Sequence, residues 1–183
     1  MPISFRRTAA LALALLAGCG PAPERRETGA ELFERPFSRP VVDGAGRQVG
    51  TVSGAPGGQG VAITVAVRGL PPGQHGMHLH EAGLCDPPEF ATAGGHWNAA
   101  RRAHGHDNPA GPHDGDWGNI AVGADGAGTA ERLVPRYHGK IPPAGLAVVI
   151  HADPDDERTD PSGNSGARVA CGVVVEGERA RPA

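Results

Sequence analysis

Six histidines and one aspartate stand out by type and order. His78 and His80 come first, then His96, His104, His113 with Asp116 three residues on, and His151 far downstream. Seven of the nine histidines lie between His75 and His113. Packing gives no reason for such a concentration. Neutral imidazole is the commonest protein metal ligand. A run of imidazoles closed by one carboxylate is ligand chemistry for borderline metals such as zinc and copper.

The spacing divides the set in two. His78 and His80 are two apart on a predicted strand, so their side chains leave one face, about 7 Å apart at the Cα level. A long loop can return His96 to the same place, and His151 ends a separate strand. Four nitrogens with no thiolate suit Cu(II). His104, His113 and Asp116 offer two nitrogens and a carboxylate oxygen, one ligand short of a closed tetrahedral zinc site. The second ring nitrogen of His96 is the nearest unassigned candidate. The sequence thus allows a two-metal site joined by one histidine, and spacing alone leaves that bridge open.

The elements that must position these groups read as short strands. Val41-Val42 runs into an Asp43-Gly44 hairpin signal and then Gln48–Val52. Gly60–Val67 alternates β-branched residues. Further strands are predicted at His75–Glu81, Gly118–Val122, Thr129–Val134, Leu146–His151 and Arg168–Val175. Ala82 to Trp117 carries little regular signal, and structureless stretches of that length are usually functional. About eight strands predict an all-β fold: an antiparallel sandwich or barrel with long metal-binding loops. Glycine (29) and proline (18) fit a turn-rich chain, and a net charge of −3 argues against nucleic-acid binding.

The N-terminus reads as an export signal. Arg6 and Arg7 precede an apolar run from Thr8 to Ala17, too short to span a bilayer. Leu16-Ala17-Gly18-Cys19 looks like a bacterial lipobox, which predicts a lipid on Cys19 and a membrane-anchored, periplasmic or cell-surface protein. Residues 1–18 are then the signal, 19–37 a Pro/Glu/Arg-rich tether, 38–176 the folded domain and 177–183 a tail. With Cys19 lipidated, Cys85 and Cys171 remain as an even pair outside the cytoplasm, where disulfides persist.

Four segments carry a family resemblance. Gly76-Met77-His78-Leu79-His80-Glu81, Gly94-Gly95-His96-Trp97-Asn98, His113-Asp114-Gly115-Asp116 and Gly163-Asn164-Ser165-Gly166-Ala167-Arg168-Val169-Ala170-Cys171-Gly172 resemble the signature segments of copper/zinc superoxide dismutases. The resemblance runs from about Ser38 to Val175. It implies a Greek-key β-barrel and an enzyme working near the diffusion limit on superoxide anion. Carried over by position, it implies copper on His78, His80, His96 and His151, and zinc on His96, His104, His113 and Asp116. Arg168 would guide the anion, and Asp155 would tie a copper histidine to a zinc histidine. A Cys85–Cys171 bridge would anchor the long loop to the last strand. One superoxide would leave as oxygen and a second as hydrogen peroxide, with copper redox-active and zinc structural. The resemblance leaves a homodimer open.

One segment departs from the eukaryotic pattern. The segment from His151 to Arg168 is short and acidic, with Arg158 its one basic residue before Arg168, so long-range steering of the anion is expected to be weaker. His75, His106 and His138 match no ligand position and are expected at the surface or in hydrogen bonds. Trp97 and Trp117 are expected to pack. A copper carrier without turnover is the competing function, but Cu(I) carriers favour Cys and Met, and this chain has two Met and no Cys-x-x-Cys. A zinc-stabilised structural lipoprotein would leave His78, His80 and His151 unexplained.

Overall fold

The computed structural model describes residues 31–136 and 141–177. Eight antiparallel strands form a closed barrel: β1 (Phe37–Asp43), β2 (Gln48–Pro56), β3 (Gly60–Val67), β4 (Gly73–His80), β5 (Asp116–Val122), β6 (Gly128–Pro135), β7 (Leu146–His151) and β8 (Arg168–Val175). Around the barrel the order is β1-β2-β3-β6-β5-β4-β7-β8. The β3–β4 and β6–β7 connections therefore cross over strands, which makes the arrangement a Greek key. The expected all-β architecture is the observed one.

Period-two alternation places the site on the outer face. On β4, Met77 and Leu79 enter the main core, and His78 and His80 point the other way. On β7, Val148 and Ile150 enter that core. Ala147 and Val149 instead pack against Phe90, Ala93 and Cys171 in a second, smaller cluster. This explains why Leu146–His151 is buried at every position. Its inner face fills the barrel and its outer face lies under the loop after β4. His151 shares the outer face of Ala147 and Val149, and β4 pairs with β7, so its ring comes out beside those of His78 and His80.

Cys85 and Cys171 form a disulfide with 5.6 Å between their Cα atoms across 86 residues. It pins the loop after β4 onto β8, inside the smaller cluster. Closing a loop of that size is worth about 4–5 kcal/mol in the chain-entropy treatment. Replacing both cysteines with serine is expected to cost about 2–5 kcal/mol, read as a lower denaturant midpoint that reducing agent no longer shifts.

The folded region starts earlier than expected. Leu32, within the stretch read as tether, is 4% exposed in the main core, and β1 begins at Phe37. Residues 1–30 with Cys19, His138 and the tail beyond Gly177 lie outside the described residues. Among the described residues, no helix is long and apolar enough to cross a membrane.

Candidate metal centre

β4 presents His78 and His80. His96 bridges to His80 from the loop that follows, as an isolated β-bridge. That loop is fixed by main-chain bonds from Trp97 N to Leu79 O (2.8 Å) and from Leu79 N to Gly115 O (2.8 Å). His151 closes β7 opposite Arg168 on β8. Asp116 opens β5 opposite His78, beyond a bulge. Two groups result, His78/His80/His96/His151 and His96/His104/His113/Asp116, each with its ligand-type atoms within 4.8 Å of one another.

The first group is marked by what its nitrogens lack. His78 Nδ1, His80 Nε2, His96 Nε2 and His151 Nε2 are buried with no hydrogen-bond partner. A buried polar atom without a partner costs about 1–3 kcal/mol, so four converging in one place need a ligand. The opposite nitrogens are held. His80 Nδ1 lies 3.0 Å from Gly94 O, His151 Nδ1 3.2 Å from Gly166 O, and His78 Nε2 2.8 Å from Asp155. Burial drives the pKa of His80 well below the ordinary value, that of His151 to about 3 and that of His96 to about 4. Neighbouring histidines add to each shift. These rings are neutral at physiological pH, the state a metal requires. This all-nitrogen set fits copper.

The second group crowds three rings onto one oxygen. Asp116 Oδ1 lies 2.9 Å from His96 Nδ1, 2.9 Å from His104 Nδ1 and 3.2 Å from His113 Nδ1. The Nδ1 atoms of His96 and His113 are 3.4 Å apart. Zinc–nitrogen bonds of about 2.0–2.1 Å set tetrahedral ligand edges near ~3.3 Å, so these spacings fit zinc. Asp116 Oδ2 accepts the Gly105 and His113 backbone N–H groups at 2.8 Å each, leaving Oδ1 for the cluster. Burial raises the Asp116 pKa, but the hydrogen bonds from His104 and His96 prevail and hold it below the usual carboxylate range. Burial likewise opposes charge on His104, yet its contacts with Asp116 and Asp155 lift its pKa to about 9.

His96 belongs to both groups, with Nδ1 in one and Nε2 in the other. Asp155 joins them a second way, reaching His78 Nε2 at 2.8 Å and His104 Nε2 at 3.0 Å. Asn119 clamps the Asp155 backbone through both its N–H and its carbonyl. At Gly163 (φ +63°), an added Cβ would collide with Asp155 Oδ1 and sit 2.7 Å from His104 Nε2, so only glycine passes beside this junction.

Arg168 lines a shallow opening with Glu89, Gly94, Gly95 and Gly166. Its guanidinium donates to Phe90 O and Gly94 O, each at 2.7 Å. Gly94 and Gly166 also hold the rings of His80 and His151, so the opening borders the first group through these two glycines. The structure thus brings every proposed ligand, Asp155 and Arg168 together. His75 takes the hydrogen-bonding role of the two expected for it: it is 4% exposed, with its ring nitrogens 2.8 Å from His151 O and 2.8 Å from Pro71 O. His106 is exposed beside Glu157. Trp97 and Trp117 pack in the main core. Sequence reasoning missed the Gly94 and Gly166 carbonyls, because main-chain acceptors leave no trace in residue type.

Comparison with known proteins agrees with this geometry. The copper/zinc superoxide dismutase (SODC) family matches residues 48–174. The chain is 41% identical over 143 residues to a Cu-Zn superoxide dismutase of Caulobacter vibrioides, covering 73% of this chain and 82% of that one. It is 39% identical over 142 residues to one from Aquifex aeolicus, covering 73% and 84%. Among solved structures, a SOD-like protein from Bacillus subtilis superposes with TM-score 0.69 at 36% identity, covering 75% of this chain and 97% of that one. The Cu/Zn superoxide dismutase from Brucella abortus gives 0.61 at 29% identity, covering 76% and 99%. Both ligand groups and Arg168 fall inside the matched span, and this chain belongs to the copper/zinc superoxide dismutase family.

Proposed function

We propose that His78, His80, His96 and His151 hold copper, that His96, His104, His113 and Asp116 hold zinc, and that the loaded protein is a superoxide dismutase. The observation that carries the reading is the set of four unpartnered buried nitrogens, one on a ring whose other nitrogen belongs to the second group. Copper held there would supply one-electron redox chemistry for superoxide.

The chain's own residues do the rest. Arg168 spends two of its five N–H donors on carbonyls, and its charge lines the opening, where it can meet a small anion. Burial lowers its pKa, but a guanidinium stays charged. Its position is set before the anion arrives, so little reorganisation is needed. His96 can hold a proton on Nε2 while Nδ1 stays beside Asp116, so the shared ring offers a proton at that atom. Asp155 fixes the tautomers of His78 and His104 by accepting from both Nε2 atoms. Glu89 lies on the rim and Arg158 is paired with Asp107, so guidance of the anion falls chiefly on Arg168.

Protein loaded with one copper and one zinc is expected to speed superoxide decay. Arg168→Ala is expected to lower kcat/KM about ten- to a hundredfold, the worth of a charged hydrogen bond, with copper still bound. Loaded wild type with no effect on superoxide decay would sink the reading.

We further infer an exported protein, with residues 1–18 as signal, a lipid on Cys19 and the tether leading into the barrel. The lipobox-like Leu16–Cys19 and the Cys85–Cys171 bridge support this. A homodimer is compatible with this reading.

A further inference from the structure

Four of the clustered histidines have their second ring nitrogen within hydrogen-bond distance of an oxygen. His78 and His104 meet Asp155, His80 meets Gly94 O and His151 meets Gly166 O, at 2.8–3.2 Å. His96 uses its second nitrogen for the other group. His113 is the remaining ring. Its Nδ1 faces Asp116, so its Nε2 points away from the cluster and bears the proton whenever Nδ1 is a ligand. The group facing that nitrogen is Asp160, with Oδ1 at 3.8 Å.

Asp160 is not placed there by chance of loop position alone. The same Oδ1 accepts the backbone N–H of His104 at 2.7 Å. One carboxylate oxygen from the loop between β7 and β8 thus addresses two residues of the second group. At 3.8 Å the contact with His113 is longer than a hydrogen bond, and a small rotation of the Asp160 side chain, which is 58% exposed, closes it. Carboxylates in that position orient a ligating imidazole and raise its basicity.

We propose that Asp160 is a positioning residue for zinc, aligning His113 through its outer nitrogen and His104 through its main chain. The proposal rests on the zinc assignment above. Asp160 belongs to the short acidic loop between β7 and β8, so that loop serves metal retention.

The test compares Asp160→Asn, which keeps an acceptor for the His104 N–H but loses the charge, with Asp160→Ala, which loses both. Zinc affinity is measured by chelator competition in copper-free protein, and copper affinity in parallel. Asp160→Asn is expected to weaken zinc about tenfold, leave copper affinity unchanged and leave the melting temperature of metal-free protein unchanged. Asp160→Ala is expected to weaken zinc further. Zinc affinities within twofold of wild type in both variants would overturn the proposal. So would zinc and copper affinities falling together with the metal-free melting temperature, which marks a merely structural role. His113→Ala is the control: unchanged zinc affinity there sinks the zinc assignment itself and the proposal with it.

Discussion

Changing His151 to alanine is expected to abolish superoxide removal and leave the barrel folded. The ring lies on the outer face of β7, away from Val148 and Ile150, so its loss opens no cavity in the main core. Removing its unpartnered Nε2 relieves a cost, and losing the Nδ1 bond to Gly166 O adds one of similar size, about 1 kcal/mol each way. Metal-free His151→Ala should therefore melt close to metal-free wild type. Copper binding is another matter. Losing an outer partner of a metal ligand typically costs about 10–100-fold, so losing the ligand itself should cost more than a hundredfold in activity. Zinc affinity should persist, because His151 is outside that group. Stopped-flow superoxide decay and metal titration check both halves. Full activity in the variant would refute the copper assignment.

Removing both metals is expected to produce the other large effect, with a distinctive pH dependence. Burial keeps His96, His151 and His80 neutral in the fold, with the pKa of His96 near 4 and of His151 near 3. Between those values and the ordinary 6.5 the unfolded chain binds more protons, so stability drops as pH falls through that window. The His96 shift alone corresponds to about 3 kcal/mol. His104 acts with the opposite sign. Its folded pKa is raised to about 9, so its contribution is complete below 6.5 and is lost as pH rises towards 9. Asp116 and Asp155, held below the carboxylate range, stabilise above it and fail only in strong acid. Metal-free protein should thus be most stable near pH 6.5. With metals at about a thousand times their Kd, each site adds about 4 kcal/mol, roughly 8–16 °C for a domain of this size. The alkaline loss should vanish, because zinc replaces the His104 proton. Calorimetry at pH 5, 6.5 and 9, with and without metals, reads this directly. A metal-free curve flat across that range would contradict it.

Legibility differed by element for physical reasons. Gly60–Val67, Leu146–His151 and Arg168–Val175 are strands at the bounds read from sequence, since turn residues punctuate clear apolar patterns. β5 begins at Asp116 rather than Gly118, because an aspartate facing metal ligands and a buried tryptophan do not look like a strand start. β4 begins at Gly73 and ends at His80, set by pairing with β5 and β7 that its own residues do not announce. The clustered histidines were legible because function puts an unusual residue type at fixed intervals. His75, expected at the surface or in a hydrogen bond, takes the second course, but its partners, the carbonyls of Pro71 and His151, are not signalled by residue type. Leu32 seemed part of a polar tether because a single core contact carries no periodicity.

The carbonyl of Gly94 takes two bonds at once, from His80 Nδ1 and from Arg168 Nη2. A metal-site ring and the anion receptor are therefore pinned to one atom, on a loop clipped to β8 by Cys85 and Cys171. Any shift of that atom moves both together. Capture of the anion and tuning of the redox centre are mechanically one setting, so a mutation that drags this loop should erode the two in proportion and not one at a time.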